Sequence, residues 1–222
     1  MGRLKLGIVI PAFNEEKTIS NIVENTISHG VVIVVDDGSK DETAKIASDK
    51  GAVVVKHEHN EGYDNALNSG FKKAASLGVE MILTFDADGQ HSFSLINDFI
   101  LEIDKGYDVV VGIRSKQARL GELIFSWVSN KLWNIRDPQC GMKAYKTEVY
   151  NKLGHFDSYS SVGTELCIFA AKNKFQISQI SFESKERVDQ PRLGNALQAN
   201  YKIIRAMILG ILKNHSSLKN DI

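Results

Sequence analysis

The sequence predicts an α/β fold with a Rossmann-like, mostly parallel sheet flanked by helices, on three observations. Apolar, β-branched runs recur at residues 6–10, 31–35, 52–55, 80–85 and 108–111. Segments with helical periodicity fill the intervals, at 17–28, 41–50, 65–77 and 93–105. Runs such as Val31-Val32-Ile33-Val34-Val35 are apolar on both faces, as a sheet covered by helices on both sides demands. Strands that alternate with helices of this length require crossover connections, and these are right-handed and pair the strands in parallel.

The first strand, 6–10, stops at Pro11 and lacks the long apolar core and cleavage site of a signal peptide. After Arg114 the alternation loosens. A helix is predicted at 120–133, then a turn at Asp137-Pro138, a short apolar segment at 141–145, a helix at 163–174 and a strand at 177–182. A final helix at 194–212 becomes apolar nearly all round from Ala206 to Leu212, punctuated by Arg192, Lys202, Arg205 and Lys213. No linker, repeat or low-complexity segment divides the 222 residues, so one domain is expected, with a first half at 1–115, a second at 116–192 and a terminal helix in 193–222.

Composition narrows the class. With 43% apolar and 24% charged residues the chain has material for a substantial core, which excludes disorder. Lys plus Arg and Asp plus Glu are 27 each, so no global field draws the chain to nucleic acid, and any attraction to an anionic surface must be local. Cys140 and Cys167 are too few for a disulfide framework and have no metal-ligand spacing; both are expected reduced, in a cytoplasmic setting. No run approaches the roughly 20 apolar residues of a spanning helix.

Open parallel sheets bind ligands outside the carboxyl ends of their strands, so the polar clusters that follow strands carry the chemistry. Pro11-Ala12-Phe13-Asn14-Glu15-Glu16 follows the first strand, Asp36-Asp37-Gly38-Ser39 the second, and Asp86-Ala87-Asp88-Gly89-Gln90-His91 the fourth. Turn and N-cap chemistry accounts for single members of these clusters, and Thr18 and Ser39 are read as caps. Asp86 and Asp88, one residue apart at the end of an apolar strand, suit one hard cation, Mg²⁺ or Mn²⁺, with Gln90 as a further oxygen ligand. A cation there would neutralise the charge that grows on a diphosphate leaving group. The histidines, His57, His59 and His91 among them, have no transition-metal spacing and are read as loop residues.

Together these clusters resemble the family 2 glycosyltransferases of GT-A fold, especially the dolichol-phosphate mannosyltransferase-like branch. The likeness runs from residues 8–16 through Val34-Val35-Asp36-Asp37-Gly38-Ser39 and the 86–91 cluster to Gly106-Tyr107-Asp108-Val109-Val110-Val111-Gly112 with Arg114. It continues more thinly through 137–145 and Glu165. The resemblance implies an inverting transferase that moves a sugar from a UDP- or GDP-sugar to an acceptor. It implies that Pro11, Ala12, Phe13, Glu15, Asp36 and Asp37 hold the nucleoside, that Asp86, Asp88 and Gln90 hold the metal, and that Arg114 pairs with phosphate oxygens. Residues 1–115 would then bind the nucleotide-sugar and 116–192 would frame the acceptor.

Two departures from that pattern matter. Gly62-Tyr63-Asp64-Asn65 replaces a Gly-Lys-Gly-like segment, and Leu166 stands where relatives that glycosylate hydroxyls carry an Asp. An alcohol acceptor needs a general base, whereas a phosphate is already an anion and needs only positioning. The favoured acceptor is therefore a polyprenyl phosphate, with Glu165 as the remaining candidate base. The basic and apolar terminal helix, with Arg187 nearby, would rest peripherally on a membrane surface, although a packed helix or a dimer contact gives the same pattern. The alternatives are transfer to a glycan hydroxyl, a sugar-phosphate nucleotidylyltransferase and a non-catalytic nucleotide-sugar binder.

Overall fold

The computed structural model describes residues 5–87, 92–115, 119–183 and 196–213. Seven strands, β1 (Leu6–Ala12), β2 (Val31–Asp36), β3 (Val53–Lys56), β4 (Met81–Thr84), β5 (Val109–Arg114), β6 (Lys143–Lys146) and β7 (Ile177–Phe182), form one sheet in the order β3-β2-β1-β4-β6-β5-β7. All pairings are parallel except those of β6, which runs antiparallel to both β4 and β5. The helices are α1 (Ile19–Thr26), α2 (Thr43–Asp49), α3 (Tyr63–Ser76), α4 (Leu95–Asp104), α5 (Leu120–Trp133), α6 (Thr147–Leu153), α7 (Glu165–Lys172) and α8 (Ala196–Leu212).

Period-two alternation explains why the strands read as apolar on both faces. Ile8, Ile10, Val32 and Val34 join one core with Ile19, Ile22 and Phe99 of α1 and α4. Val9, Ile33, Ile82 and Val111 join a second with Leu67, Phe71, Val149 and Phe169 of α3, α6 and α7. A third, smaller core gathers Phe125 of α5, Ile168 of α7 and Ile203, Ala206 and Met207 of α8. No helix among the described residues is long and apolar enough to cross a membrane.

The expected strands and helices are all present, with ends shifted by a few residues. Helix α6 is an addition: its seven residues bury only Thr147, Val149 and Tyr150, too short a pattern for periodicity to register. The apolar segment at 141–145 contains β6, which inserts between β4 and β5. Strands from both halves of the chain therefore share one sheet.

Helix α3 lies close on the sheet because Gly70 has no side chain; a Cβ there would collide with Cγ1 of Val9 on β1. Gly70→Ala should lower stability by about 1–3 kcal/mol, the usual cost of overpacking. In urea denaturation it should move the midpoint and leave the slope unchanged; an unaltered midpoint would contradict this close contact.

Candidate active site

The order β3-β2-β1-β4 reverses direction at β1, which opens a crevice at the carboxyl ends of β1 and β4. Pro11 widens it. Val9 accepts a hydrogen bond from the backbone N–H of Phe85, so residues of that parity face β4, and Pro11 brings no N–H to the same side. The β1–β4 register accordingly ends at Val9 and Thr84, while β1–β2 continues to Ala12 and Asp36. Pro11 and Ala12 are buried and Phe13 is half-buried at the rim.

The loops after β1 and β2 are stitched together. The amide of Asn14 donates to Ser39 Oγ (2.9 Å), that of Lys40 to Asn14 Oδ1 (2.9 Å) and that of Glu15 to Thr43 Oγ1 (2.8 Å). The hydroxyl of Thr18 turns back to Glu15 Oε2 (2.9 Å) instead of capping α1, and Ser39 serves Asn14 instead of capping α2, which corrects both capping expectations. Glu15 is itself buried, and its carbonyl accepts the amides of Thr18 and Ile19 at the entry to α1.

The two carboxylates that end β2 part company. Asp36 is buried; its Oδ1 accepts the amide of Ser39 (3.0 Å), while Oδ2 has no hydrogen-bond partner among the described residues. A buried oxygen left without a donor costs about 1–3 kcal/mol, so this one marks a place for a ligand N–H or O–H. Asp37 is saturated: His57 Nδ1 lies 2.7 Å from Oδ1, and the amides of Glu61 and Gly62 donate to its two oxygens at 2.8 Å each. Asp37, expected beside the nucleoside, holds the 57–62 loop that leads into α3. His57, expected in a plain loop, is buried between Asp37 and Ser69 (2.8 Å). Beside them Gly38, Ser39, Lys56, His57 and Glu58 line a cavity of about 380 Å³.

Asp86 follows β4 and is half-buried at the crevice. Thr84 Oγ1 donates to the carbonyl of Gly141 (2.6 Å) and accepts the amide of Lys143 (3.0 Å), which brings the start of β6 under Asp86. A Cβ at Gly141 would collide with Asp86 Oδ2, so only glycine leaves that carboxylate its seat. The Tyr63 hydroxyl donates to Asp86 Oδ1 (3.3 Å). Asp88, Gln90 and His91 lie outside the described residues, as do Arg187 and Arg192.

Two expected site residues are engaged within the protein. Arg114 was expected to present its donor fork to phosphate, but Nε and Nη2 donate to both oxygens of Asp137 (2.8 and 2.9 Å), and Glu122 stands 3.6 Å from Nη2. A guanidinium so matched to a buried carboxylate holds the Asp137-Pro138 turn against β5. Glu165 was expected as a candidate base, but its side chain is fully buried. It accepts hydrogen bonds from the Ser158 amide (2.6 Å), Ser158 Oγ (3.0 Å), His155 Nε2 (3.1 Å) and Lys213 Nζ (2.6 Å). Burial alone would raise its carboxyl, yet the bonds from Lys213, His155 and Ser158 outweigh burial and hold it below the usual range.

The sequence reading missed a constrained loop opposite Asp86. Ser160 and Val162 have φ of 55° and 56°, and a positive φ is rare for a β-branched residue. Asp157 pins the loop through the amides of Tyr159, Ser160 and Ser161, and Asp64 through those of Val162 and Gly163 (3.1 and 2.6 Å). Burial and the nearby Asp157 push the Asp64 carboxyl up to about 6. Lys143 Nζ donates to the carbonyl of Gly163 (3.0 Å), and Gly163 lies against the Tyr63 ring. Tyr63 and Asp64, at the first turn of α3, thus touch both the Asp86 carboxylate and this loop. The departure from the family at Gly62-Tyr63-Asp64-Asn65 was the one signal that pointed to them.

The model of "Glycosyl transferase family 2" matches residues 7–124. The UDP-N-acetylglucosamine–dolichyl-phosphate N-acetylglucosaminyltransferase of Methanococcus voltae is 30% identical, over 91% of this chain and 94% of that one. The dolichyl-phosphate hexose transferase of Haloferax volcanii is 28% identical, over 85% of this chain and 86% of that one. Glucosyl-3-phosphoglycerate synthase from Mycobacterium tuberculosis, solved with Mn²⁺, UDP and phosphoglyceric acid, superposes with a TM-score of 0.75 at 22% identity, over 96% of this chain and 80% of that one, which establishes the shared GT-A fold. The crevice at the end of β1, the orphaned Asp36 oxygen and these likenesses converge: the chain belongs to glycosyl transferase family 2 and is a glycosyltransferase.

Proposed function

We propose that the enzyme moves a sugar, with inversion, from a UDP- or GDP-sugar to a polyprenyl phosphate at a cytoplasmic membrane surface. The state of Glu165 carries the acceptor choice. With that carboxylate surrounded by donors and Leu166 buried in the core, the position expected to supply a general base is taken up by structure. An alcohol would wait there for deprotonation; a phosphate is already a nucleophile and needs only alignment. The relatives named for transfer to dolichyl phosphate support the same reading.

On the donor side, Asp36 Oδ2 asks for an N–H, which uracil and guanine supply from their ring nitrogens. Phe13 at the rim, with the backbone of Pro11 and Ala12, would flank the nucleoside, and Glu15 and Asp37 would position those loops. Asp86, with Asp88 and Gln90, would hold Mg²⁺ or Mn²⁺. The fit rests on the seat that Gly141 leaves for the Asp86 carboxylate and on the Tyr63 hydroxyl that orients it. Bound there, the ion would supply charge neutralisation for the departing nucleoside diphosphate. Arg114 and the constrained 157–163 loop would shape the acceptor side without direct chemistry.

Three outcomes are expected. Asp36→Asn, which replaces a charged acceptor by a neutral one, should weaken donor binding about tenfold in calorimetry, the equivalent of about 1.4 kcal/mol; wild-type affinity would remove Asp36 from the nucleoside site. Glu165→Gln should lower the melting temperature but keep kcat for a polyprenyl phosphate within about tenfold, since removal of a general base costs about 10²–10⁴. A loss of that larger size in folded enzyme would restore the base role and an alcohol acceptor. Tyr63→Phe should weaken Mn²⁺ binding about 10–100-fold, the usual effect of deleting a partner of a metal ligand, when the free ion is counted by electron paramagnetic resonance; unchanged affinity would leave Tyr63 without that part.

A further inference from the structure

Helix α5 buries Gly121, Glu122, Phe125 and Ser129 and turns the opposite face to solvent. On that outer face Leu120, Leu123, Ile124 and Trp127 follow the spacing i, i+3, i+4, i+7, and Trp127 is 66% exposed. Helix α8 does the same. It buries Ala199, Ile203, Ala206, Met207 and Gly210, while Leu197 (82% exposed), Tyr201 (71%), Ile208 and Ile211 recur on the outside. Of the thirteen large apolar side chains exposed among the described residues, ten stand on these two helices, a concentration that scattered surface residues do not produce.

The two helices lie side by side. The amide of Gly121 donates to Asn200 Oδ1 (2.9 Å) at one end. At the other, Lys172 sits over the Trp133 ring and donates to the carbonyls of Gly210 and Ile211. Among the described residues nothing covers the outward faces.

The charges around these faces identify the occupant. Lys131 continues the α5 stripe, and Lys202 and Arg205 flank that of α8, all exposed. The only acid on either helix is Glu122, which is buried between Arg114 and Arg119. In a chain whose charges cancel overall, these two helices present an apolar surface that includes Trp127 and Tyr201, with basic flanks and no exposed acid of their own. Basic flanks about an apolar stripe are the signature of a helix that lies in a lipid interface. A second copy fits poorly, because a twofold contact across this face would set the same cations against themselves.

We propose that the outward faces of α5 and α8 together form a platform that docks the protein on a bilayer bearing anionic headgroups. The contact rests on the membrane location in the proposed function and names the surface that makes it, while it does not depend on the acceptor being a polyprenyl phosphate. It also reaches the site: Arg205 donates to the carbonyl of Tyr159 (2.8 Å), and Lys213 holds Glu165 (2.6 Å) and lies over the Tyr159 ring. The docked helix therefore carries the constrained 157–163 loop at the membrane surface.

Co-sedimentation of the full chain with vesicles of phosphatidylcholine alone, or of three parts phosphatidylcholine to one part phosphatidylserine, tests the proposal. Binding to the anionic vesicles is expected to exceed binding to the neutral ones about tenfold, to fall with added salt and to shift tryptophan emission to the blue. Leu123→Ser with Trp127→Ser, and separately Lys131→Glu with Lys202→Glu, should each cut that binding at least about tenfold. Both pairs should keep the wild-type melting temperature and donor binding. Absence of vesicle binding by the wild type, binding unaffected in both variants, or a dimer in sedimentation equilibrium that Leu123→Ser with Trp127→Ser abolishes would each overturn it. Docking without transfer to a polyprenyl phosphate would sink only the acceptor assignment; transfer to a short-chain polyprenyl phosphate in detergent without vesicle binding would sink only the platform.

Discussion

The hydroxyl of Thr84 holds the two halves of the site together. It sits on the last residue of β4, donates to the carbonyl of Gly141 and accepts the amide of Lys143, and so fastens the antiparallel β6 where a parallel strand would otherwise continue the sheet. Because β6 runs the opposite way, its beginning meets the carboxyl end of β4, just before Asp86. Gly141 then lies beneath the Asp86 carboxylate, and the Lys143 side chain reaches the carbonyl of Gly163 in the constrained loop. One strand reversal therefore couples the donor crevice to the second half of the chain.

The buried carboxylates divide by what surrounds them. Asp37 and Asp157 accept backbone amides on both oxygens, Asp64 accepts the amides of Val162 and Gly163, and Glu165 accepts side-chain and backbone donors together. Each pins a loop whose backbone has no ladder of its own to satisfy it, and positive φ at Ser160 and Val162 is tolerated only because the loop is pinned at several points. Asp36 differs in keeping one buried oxygen without a partner. All are carboxylates; they differ in the number of donors within reach.

Cations follow the same logic. Arg114 and Arg119 face Asp137 and Glu122 inside the protein, whereas Lys131, Lys202 and Arg205 face outward beside apolar helix surfaces. Internal pairing makes the first group a brace for the turn after α5. The second group meets no carboxylate among the described residues and leaves its charge on the outer side of α5 and α8.

Strand and helix periodicity in the sequence specified the α/β sheet and the polar clusters at the ends of β1, β2 and β4, because these depend on local pattern: period two, helical spacing, and turn residues after apolar runs. The ordered motifs were also enough to indicate the family. Tertiary contacts alone decided which members of those motifs are spent. Asp36 and Asp37 are adjacent and alike in sequence, yet their side chains point to opposite sides of a strand end and meet different neighbours. The partners of Arg114 and Glu165 were not legible because Asp137, 23 positions on, and Lys213, 48 positions on, are distant in the chain and adjacent only in the fold. Pairing across such separations depends on where β6 and α8 are placed, and no local pattern encodes that.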